Sequence, residues 1–304
     1  MIIPKLVEKK DSYKPEDETI DEPIINVENT EEQFSKCMNT RSENFEEIFT
    51  DEIEELVKEF GKYSVSIVYH NLLDDYKISY NENKVYYSAS TVKLAVALYY
   101  YEMAAQGLID LNKELLFKSK YYEESVTKRI SLNKMISLKE LLSFSIGYSD
   151  NGAHWLLIDN IGYTALNTFI AEKMVLQNTF FPNDVYGRIN GIDGDVLINT
   201  INTFIEENGE LGQELKNVMV NKHMNALSIR DLIIGHKYGW WKDDYHELGI
   251  IYDKNPYTMA IFTKHGENNA QFTVIRHLHD KIYEFHLIYN ESKEAFCRSN
   301  IIFP

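Results

Sequence analysis

Strand-like segments occur at both ends of this 304-residue chain, and helix-like segments fill the middle. Residues 63–70 (YSVSIVYH) alternate and are rich in β-branched side chains, and residues 76–80 (YKISY) continue this pattern after a polar turn. Comparable segments return at residues 236–241, 247–252 and 257–263. A sheet can be completed from such distant parts only if the helices between them are inserted into it. The sequence therefore predicts an α/β (α+β) fold with an antiparallel sheet.

The predicted helices are apolar or amphipathic segments separated by polar turns. They cover residues 50–61, 90–106, 137–145, 151–159, 163–174, 195–206 and 269–290. We expect one folded domain over residues 46–304, with N- and C-terminal helices that flank the sheet. Residues 46–85 and 225–304 form its sheet part, and residues 86–224 form an inserted all-helical part.

The start of the chain differs in composition from the rest. Residues 1–55 contain 17 acidic and 6 basic side chains, a net charge of −11 out of −16 for the whole chain. An acidic segment with few aromatic residues is typical of a solvated tail, so residues 1–45 are predicted to be disordered. Nucleic-acid binding needs a basic surface and is not expected. The first residues, MIIPKLVEKKDSYK, lack the apolar core of a secretory signal, which predicts a cytosolic protein or a chain whose leader was removed.

Cysteine and histidine usage gives little sign of cross-links or metal. Cys37 and Cys297 are too few for a disulfide scaffold. They could pair if the two ends of the chain meet, but we predict two free thiols. The stretch His277-Leu278-His279-Asp280 resembles a metal-binding motif, but residues two apart on a helix face different ways. We therefore expect no metal site, and no cofactor is expected either. No apolar run is long enough to span a membrane, so no membrane-spanning segment is expected. We also expect a monomer.

A lysine opens the most apolar predicted helix. Lys93 follows Ser90 by three residues, and residues three apart on a helix are neighbours. Desolvation in such a segment favours the neutral amine, which can take the serine proton and produce a nucleophile. Taken alone, the pair also fits a capping serine and a snorkelling lysine. The S-x-x-K pattern occurs twice more, at residues 125–128 and 131–134, in a polar stretch where both residue types are ordinary.

Two further motifs follow in order along the chain: S-D-N at residues 149–151 and K-Y-G at residues 237–239. The succession of S-x-x-K, S-D-N and K-[TS]-G resembles the penicillin-recognising serine hydrolases, which include class A β-lactamases and D,D-peptidases. The flanking segments ASTVKLAVAL and YSDNGAHWLL are similar to the class A branch. The resemblance covers residues 45–304 and implies a β-lactamase/transpeptidase-like fold.

The resemblance also implies a role for each motif residue. Ser90 corresponds to the acylated nucleophile, Lys93 to its base, and Ser149 to the hydroxyl that passes a proton to the leaving nitrogen. The expected substrate-binding residues are Asn151, Lys237, Tyr238, Gly239 and Trp240. The backbone N–H groups of Ser90 and Trp240 would form the oxyanion hole, and Asp150 would fix the turn.

Three departures from the family pattern concern the substrate carboxylate and deacylation. Tyr238 replaces the threonine or serine of K-[TS]-G, and Leu248 stands where relatives carry an arginine; His246 or Arg188 could replace that charge. Class A enzymes also use a glutamate on the omega loop to activate water. Here no glutamate occurs between Glu172 and Glu206. The acids in that segment are Asp184, a short substitute, Asp193, and Asp195, a predicted helix N-cap.

The sequence therefore supports three hypotheses about function. The first is a serine hydrolase that opens β-lactams through an ester at Ser90 and is slow to deacylate. The second is a D,D-peptidase, or another amide or ester hydrolase, acting on cell-wall peptides. The third is a sensor that captures a β-lactam covalently without turnover. Family substrates are met outside the cytoplasm, so an extracytoplasmic location is expected from the resemblance.

Overall fold

The computed structural model describes residues 27–122, 130–174, 186–220, 226–227, 231–264 and 270–302. Its helices are α1 (Val27–Met38), α2 (Glu43–Glu46), α3 (Thr50–Phe60), α4 (Lys93–Ala105), α5 (Leu138–Gly147), α6 (Asn151–Ile161), α7 (Tyr163–Phe169), α8 (Gly191–Glu207), α9 (Gly209–Met219) and α10 (Ala270–Ile302). Its strands are β1 (Val65–Asn71), β2 (Lys77–Tyr80), β3 (Tyr86–Tyr87), β4 (Glu114–Leu116), β5 (Met135–Ser137), β6 (Arg188–Ile189), β7 (Ile233–Trp241), β8 (Asp244–Tyr252) and β9 (Tyr257–Lys264).

The main sheet has five strands in the order β2-β1-β9-β8-β7, and every pairing is antiparallel. The first strand pairs with the last, since Val65 lies opposite Thr263 and Asn71 opposite Tyr257. This pairing of distant segments confirms the predicted α+β fold. Strand β7 forms one edge of the sheet and carries the K-Y-G motif, with Lys237 opposite Leu248 on β8.

Two hydrophobic cores cover the two faces of the sheet. One lies between the sheet and the helical part and contains Leu248, Phe262 and most of α4. The other lies against α3 and α10 and contains Phe60, Tyr257 and their neighbours. Strands β1 and β8 are therefore almost completely buried along their length. Because both faces of β1 pack against helices, its polar residues Ser66, His70 and Asn71 are buried along with the apolar ones.

The prediction of an all-helical insertion is wrong in detail. Two small antiparallel ladders interrupt it, one between β3 and β6 and one between β4 and β5. Helix α4 begins at Lys93 after a 3₁₀ turn at Ala89–Val92, where the sequence predicted one helix from residue 90. Asp195 is not an N-cap: helix α8 begins earlier, and the Asn190 side chain accepts its capping hydrogen bond from the N–H of Asp193.

Asp195 has a different role inside the fold. Its carboxylate contacts His70 Nδ1 at 3.2 Å and Lys77 Nζ at 3.1 Å, so it links α8 to the first hairpin of the sheet. These two partners hold the pKa of the Asp195 carboxyl below its usual value, although burial acts in the opposite direction. A sequence window around residue 195 contains neither partner, which is why the carboxylate was assigned to a cap.

The prediction that residues 1–45 are disordered is wrong for residues 27–45. Most of these residues lie in α1 and α2. Phe45 and Phe49 are buried, and both rings pack on Tyr289 of α10 at centroid distances of 5.4 and 5.3 Å. The sequence alone did not reveal this apolar contact, because Phe45 and Phe49 stand among acidic residues that mostly remain in solvent. Residues 1–26 lie outside the described residues.

Cys37 and Cys297 form a disulfide, so the prediction of two free thiols is wrong. Helix α1 packs along the end of α10, and the two Cα atoms lie 5.7 Å apart. Close by, the guanidinium of Arg298 covers the ring of Phe34. The cross-link joins segments 260 residues apart, and a pairing over that distance depends on the fold rather than on local spacing. In the described residues, no helix is both long and apolar enough to cross a membrane.

Three buried histidines predict loss of stability in acid. Burial lowers the pKa of His246 to about 4, of His279 to about 3 and of His286 to about 4. Unfolded histidine binds a proton near pH 6.5, so stability is fully present above that pH and falls as the pH drops towards these values. Each group contributes up to about 1.4 kcal/mol per pH unit. Urea unfolding at pH 7.5 and pH 5 measures this slope, which His279→Gln should reduce; an unchanged slope would contradict the assignment.

Candidate active site

The turn that carries Ser90 lies at the junction of the sheet and the helical part. Ser90 belongs to the 3₁₀ turn before α4 and is partly exposed. The preceding residue, Ala89, has a φ of 47°, a left-handed conformation that a residue with a Cβ adopts at a cost of roughly 1–2 kcal/mol. Thr91 Oγ donates to the Ser88 carbonyl at 2.6 Å and ties the turn together. The strained backbone thus presents the Ser90 hydroxyl at a fixed position.

Lys93 is fully buried, and its amine is held by the S-D-N segment. The Nζ atom donates to the Ser149 carbonyl at 2.7 Å and to Asn151 Oδ1 at 2.7 Å, and it lies 3.3 Å from Ser149 Oγ. A lysine with these contacts does not snorkel to solvent. Of the two interpretations that the S-x-x-K pattern left open, the structure therefore favours a buried amine between two hydroxyl-bearing segments.

The S-D-N segment forms a constrained turn between α5 and α6. Ser149 has a φ of 56°, again a left-handed conformation at a residue with a Cβ. Asp150 is buried, and its Oδ1 accepts from the N–H of Ala153 at 2.7 Å, so it caps α6 as expected from the resemblance. Asn151, the first residue of α6, is thereby oriented towards Lys93.

Edge strand β7 passes very close to the Ser90 turn, and Gly239 permits the approach. A Cβ at Gly239 would lie 2.9 Å from the Ser88 carbonyl oxygen, 2.9 Å from the Thr91 nitrogen and 3.0 Å from the Ser90 nitrogen. Any side chain here would push the strand away from the turn. The glycine therefore brings Trp240, the next residue on the strand, beside the backbone of Ser90.

Two further buried ionisable residues, Lys237 and Glu247, lie on the paired strands β7 and β8. Burial and the charge of Lys93 hold the pKa of Lys237 well below its usual range. Burial raises the pKa of Glu247 to about 7, although its carboxylate accepts from the N–H groups of Ala226 at 2.8 Å and Leu227 at 3.2 Å. Glu247 thus anchors the turn at residues 226–227 to β8. The sequence analysis did not identify Glu247. A signal for it was present, because Glu247 lies opposite Tyr238 of the K-Y-G motif in the β7–β8 hairpin.

Leu248 lies at the position of the family's arginine, and His246 and Arg188 were expected as possible replacements for its charge. Leu248 is fully buried in the core, so its position supplies neither a charge nor a contact surface. His246 accepts from the Thr263 N–H and contacts the Tyr87 carbonyl at 2.9 Å, and its lowered pKa keeps it neutral. It is therefore committed to the fold and cannot replace the charge. Arg188 is exposed on β6, where its charge acts on the carboxyl of Asp244.

Tyr186 borders the amine from the omega-loop side, a contact that the sequence reasoning missed. Its ring centroid lies 6.0 Å from Lys93 Nζ and 5.7 Å from the ring of His154 on α6. Its carbonyl accepts a hydrogen bond from Ser88 Oγ, which attaches this segment to the Ser90 turn. No sequence signal links residue 186 to residue 93, since the contact arises only from the tertiary fold. Asp184 lies outside the described residues.

The stretch around His277 shows two imidazoles with separate partners. His277 Nε2 contacts Glu59 on α3 at 2.9 Å, whereas His279 Nε2 contacts the Tyr257 hydroxyl on β9 at 2.8 Å. The two side chains therefore face different elements, as expected for residues two apart on a helix.

Solved structures superpose on this fold over most of its length. A mutant of PBP-A, solved as an acyl-enzyme complex with penicillin G, superposes with a TM-score of 0.69 at 20% identity over 78% of this chain and 95% of that one. The TLA-3 extended-spectrum β-lactamase superposes with a TM-score of 0.69 at 16% identity over 78% and 98%. At these identities the likeness concerns the fold. The sheet edge that closes on the S-x-x-K turn is thus set in a β-lactamase-like fold.

Sequence comparison gives the family. A sequence model of the family described as "Beta-lactamase enzyme family" matches residues 48–286 of this chain. The chain therefore belongs to that family. Among curated proteins, β-lactamase BRO-1 of Moraxella catarrhalis is 25% identical over 223 residues, which cover 66% of this chain and 71% of BRO-1.

Proposed function

We propose that the protein opens β-lactam rings by acylation of Ser90 and then hydrolyses the ester slowly. The observation that carries this proposal is the position of Lys93 Nζ. It is 2.7 Å from Asn151 Oδ1 and 3.3 Å from Ser149 Oγ, and Lys93 follows Ser90 by three residues at the end of the 3₁₀ turn. A base and a proton-donating hydroxyl next to a nucleophile are the parts that acyl transfer requires.

In the proposed acylation, Ser90 Oγ attacks the lactam carbonyl carbon and its proton passes to Lys93 Nζ. The N–H groups of Ser90 and Trp240, brought together by Gly239, stabilise the oxyanion. The C–N bond then breaks, and the Ser149 hydroxyl protonates the departing nitrogen and is reprotonated from Lys93. Water finally hydrolyses the Ser90 ester and releases the ring-opened acid.

Slow deacylation follows from the composition of the omega-loop segment. No glutamate occurs between Glu172 and Glu206. General-base assistance is worth about 10²–10⁴-fold, so its loss lengthens the lifetime of the acyl-enzyme without affecting its formation. This supports the covalent sensor as a second candidate. A peptidase of cell-wall D-alanyl peptides is the third candidate. It is supported by Tyr238, which replaces the threonine or serine of K-[TS]-G, and by the lack of an arginine at position 248.

Intact-mass spectrometry after exposure to benzylpenicillin tests the proposal. We expect an adduct of one penicillin that maps to Ser90, is absent in Ser90→Ala, and decays over minutes to hours with accumulation of penicilloate. An adduct that persists without product would identify the sensor. Faster acylation by D-alanyl peptides or depsipeptides than by penicillin would identify the peptidase. Absence of any Ser90 adduct with all of these compounds would refute the proposed chemistry.

The disulfide supports an extracytoplasmic location as part of this proposal. Disulfides form and persist mainly in oxidising compartments, and such a compartment is also where a β-lactam would be met.

A further inference from the structure

The ring of Tyr186 covers one side of the Lys93 amine. Lys93 is fully buried, and its Nζ donates to the Ser149 carbonyl and to Asn151 Oδ1, both at 2.7 Å. The centroid of the Tyr186 ring lies 6.0 Å from the same Nζ. An aromatic face at this distance attracts a protonated amine, but its carbon atoms offer water no hydrogen bond. On this side the amine therefore meets an apolar surface.

The Tyr186 ring is held between β3 and α6. Its centroid lies 6.0 Å from the ring of Tyr87 on β3 and 5.7 Å from the ring of His154 on α6. His154 is fully buried, and Asn151, which contacts the Lys93 amine, lies one turn earlier on the same helix. Contacts of this kind on two sides leave a side chain few alternative rotamers, so the ring keeps its place beside the amine.

The backbone that carries this ring is tied to the turn that carries Ser90. The Tyr186 carbonyl accepts a hydrogen bond from Ser88 Oγ, and the Gly187 carbonyl accepts from the Ser88 N–H at 3.4 Å. Residues 188–189 then form the β6 half of the β3–β6 ladder. Because Ser88 is only two residues before the nucleophile, the ring, the amine and the Ser90 hydroxyl belong to one hydrogen-bonded unit.

We propose that the Tyr186 ring shields Lys93 from water and thereby lengthens the lifetime of the Ser90 ester. This inference rests on the proposed function and gives slow deacylation a second cause besides the missing omega-loop glutamate. In deacylation the water oxygen bonds to the acyl carbon and a water proton passes to Lys93 Nζ. The bond from the acyl carbon to Ser90 Oγ then breaks, and the proton returns to Oγ. Tyr186 exchanges no proton and acts by keeping water away from the amine.

Acylation and deacylation separate this role from a general structural one. In acylation the proton comes from the Ser90 hydroxyl, and no water takes part. In deacylation the proton comes from a water molecule that first has to reach the Lys93 amine. Loss of a shield therefore speeds deacylation, whereas loss of a ring that only supports the site disorders the catalytic groups and slows both reactions.

The test compares wild type with Tyr186→Ala, Tyr186→Phe and Tyr80→Ala. Each protein is acylated with benzylpenicillin and desalted, and the decay of the Ser90 adduct is followed by intact mass. Phenylalanine keeps the ring and is the conservative variant. Tyr80 is the matched control, because it is a partly buried tyrosine on β2, at the opposite edge of the sheet from β7. Thermal unfolding verifies that each variant is folded. If Tyr186→Ala does not fold, Tyr186→Val replaces it with the same expectation.

For Tyr186→Ala we expect the adduct to decay at least about 10-fold faster than in wild type, since water that reaches Lys93 gains part of the roughly 10²–10⁴-fold that a general base supplies. Tyr186→Phe should restore the slow decay, and Tyr80→Ala should decay at the wild-type rate. Unchanged or slower decay in Tyr186→Ala, or equally fast decay in Tyr186→Phe, would overturn the shielding role while leaving acylation of Ser90 intact. If the wild type forms no Ser90 adduct with penicillin, the proposed function fails and this inference fails with it.

Discussion

Replacing Lys93 by methionine is expected to slow acylation of Ser90 by about 10²–10⁴-fold, the range that general-base catalysis supplies. Methionine has nearly the same length and suits the apolar surroundings of α4, so the substitution removes the amine without opening a large cavity. It also removes the donor of two hydrogen bonds, those to the Ser149 carbonyl and to Asn151 Oδ1. Part of the loss will therefore reflect a less ordered S-D-N turn.

Rapid-quench intact-mass measurements with benzylpenicillin give the acylation rate constant directly. Lys120→Met is the matched control, because Lys120 is an exposed lysine paired with Asp159 on the surface. The control should acylate within about twofold of wild type, since exposed ion pairs contribute little. Acylation of Lys93→Met within tenfold of wild type would show that another group takes the Ser90 proton.

Removal of the Cys37–Cys297 disulfide should destabilise the protein by about 5 kcal/mol, since the cross-link closes a loop of 260 residues in the unfolded chain. For a chain of this size, that corresponds to a decrease in Tm of roughly 10 °C. The segment around the bond stays docked by other contacts. Phe45 is buried, and Lys293 donates to the Thr40 carbonyl and pairs with Asp74. The loss of stability is therefore expected to come mainly from the greater conformational entropy of the unfolded chain.

Thermal and urea unfolding of the Cys37→Ser/Cys297→Ser double variant measures this loss, with acylation of Ser90 unchanged. Dithiothreitol should lower the Tm of wild type to that of the variant and have no effect on the variant itself. Equal stability of the oxidised wild type and the double variant would contradict the prediction.

Local patterns in the sequence were sufficient for the elements and the order of the motifs. The alternation at residues 63–70 and the apolar period after Lys93 depend on neighbours a few residues apart, and the structure has a strand and a helix there. Local patterns were insufficient where a partner is distant. Asp195 was predicted to cap a helix, because its partner His70 is 125 residues away in the sequence. The acidic N-terminal segment was predicted to be disordered, because Phe45 packs on the distant helix α10.

The sequence by itself determined the family, the α+β fold and the residue types that the proposed acyl transfer needs, because these are encoded in short motifs and in hydrophobic periods. The tertiary structure alone decided which groups meet: the two cysteines of the disulfide between the terminal helices, and the Tyr186 ring beside Lys93. These contacts join segments 260 and 93 residues apart. Their geometry depends on how the two halves of the fold pack, which no local pattern encodes.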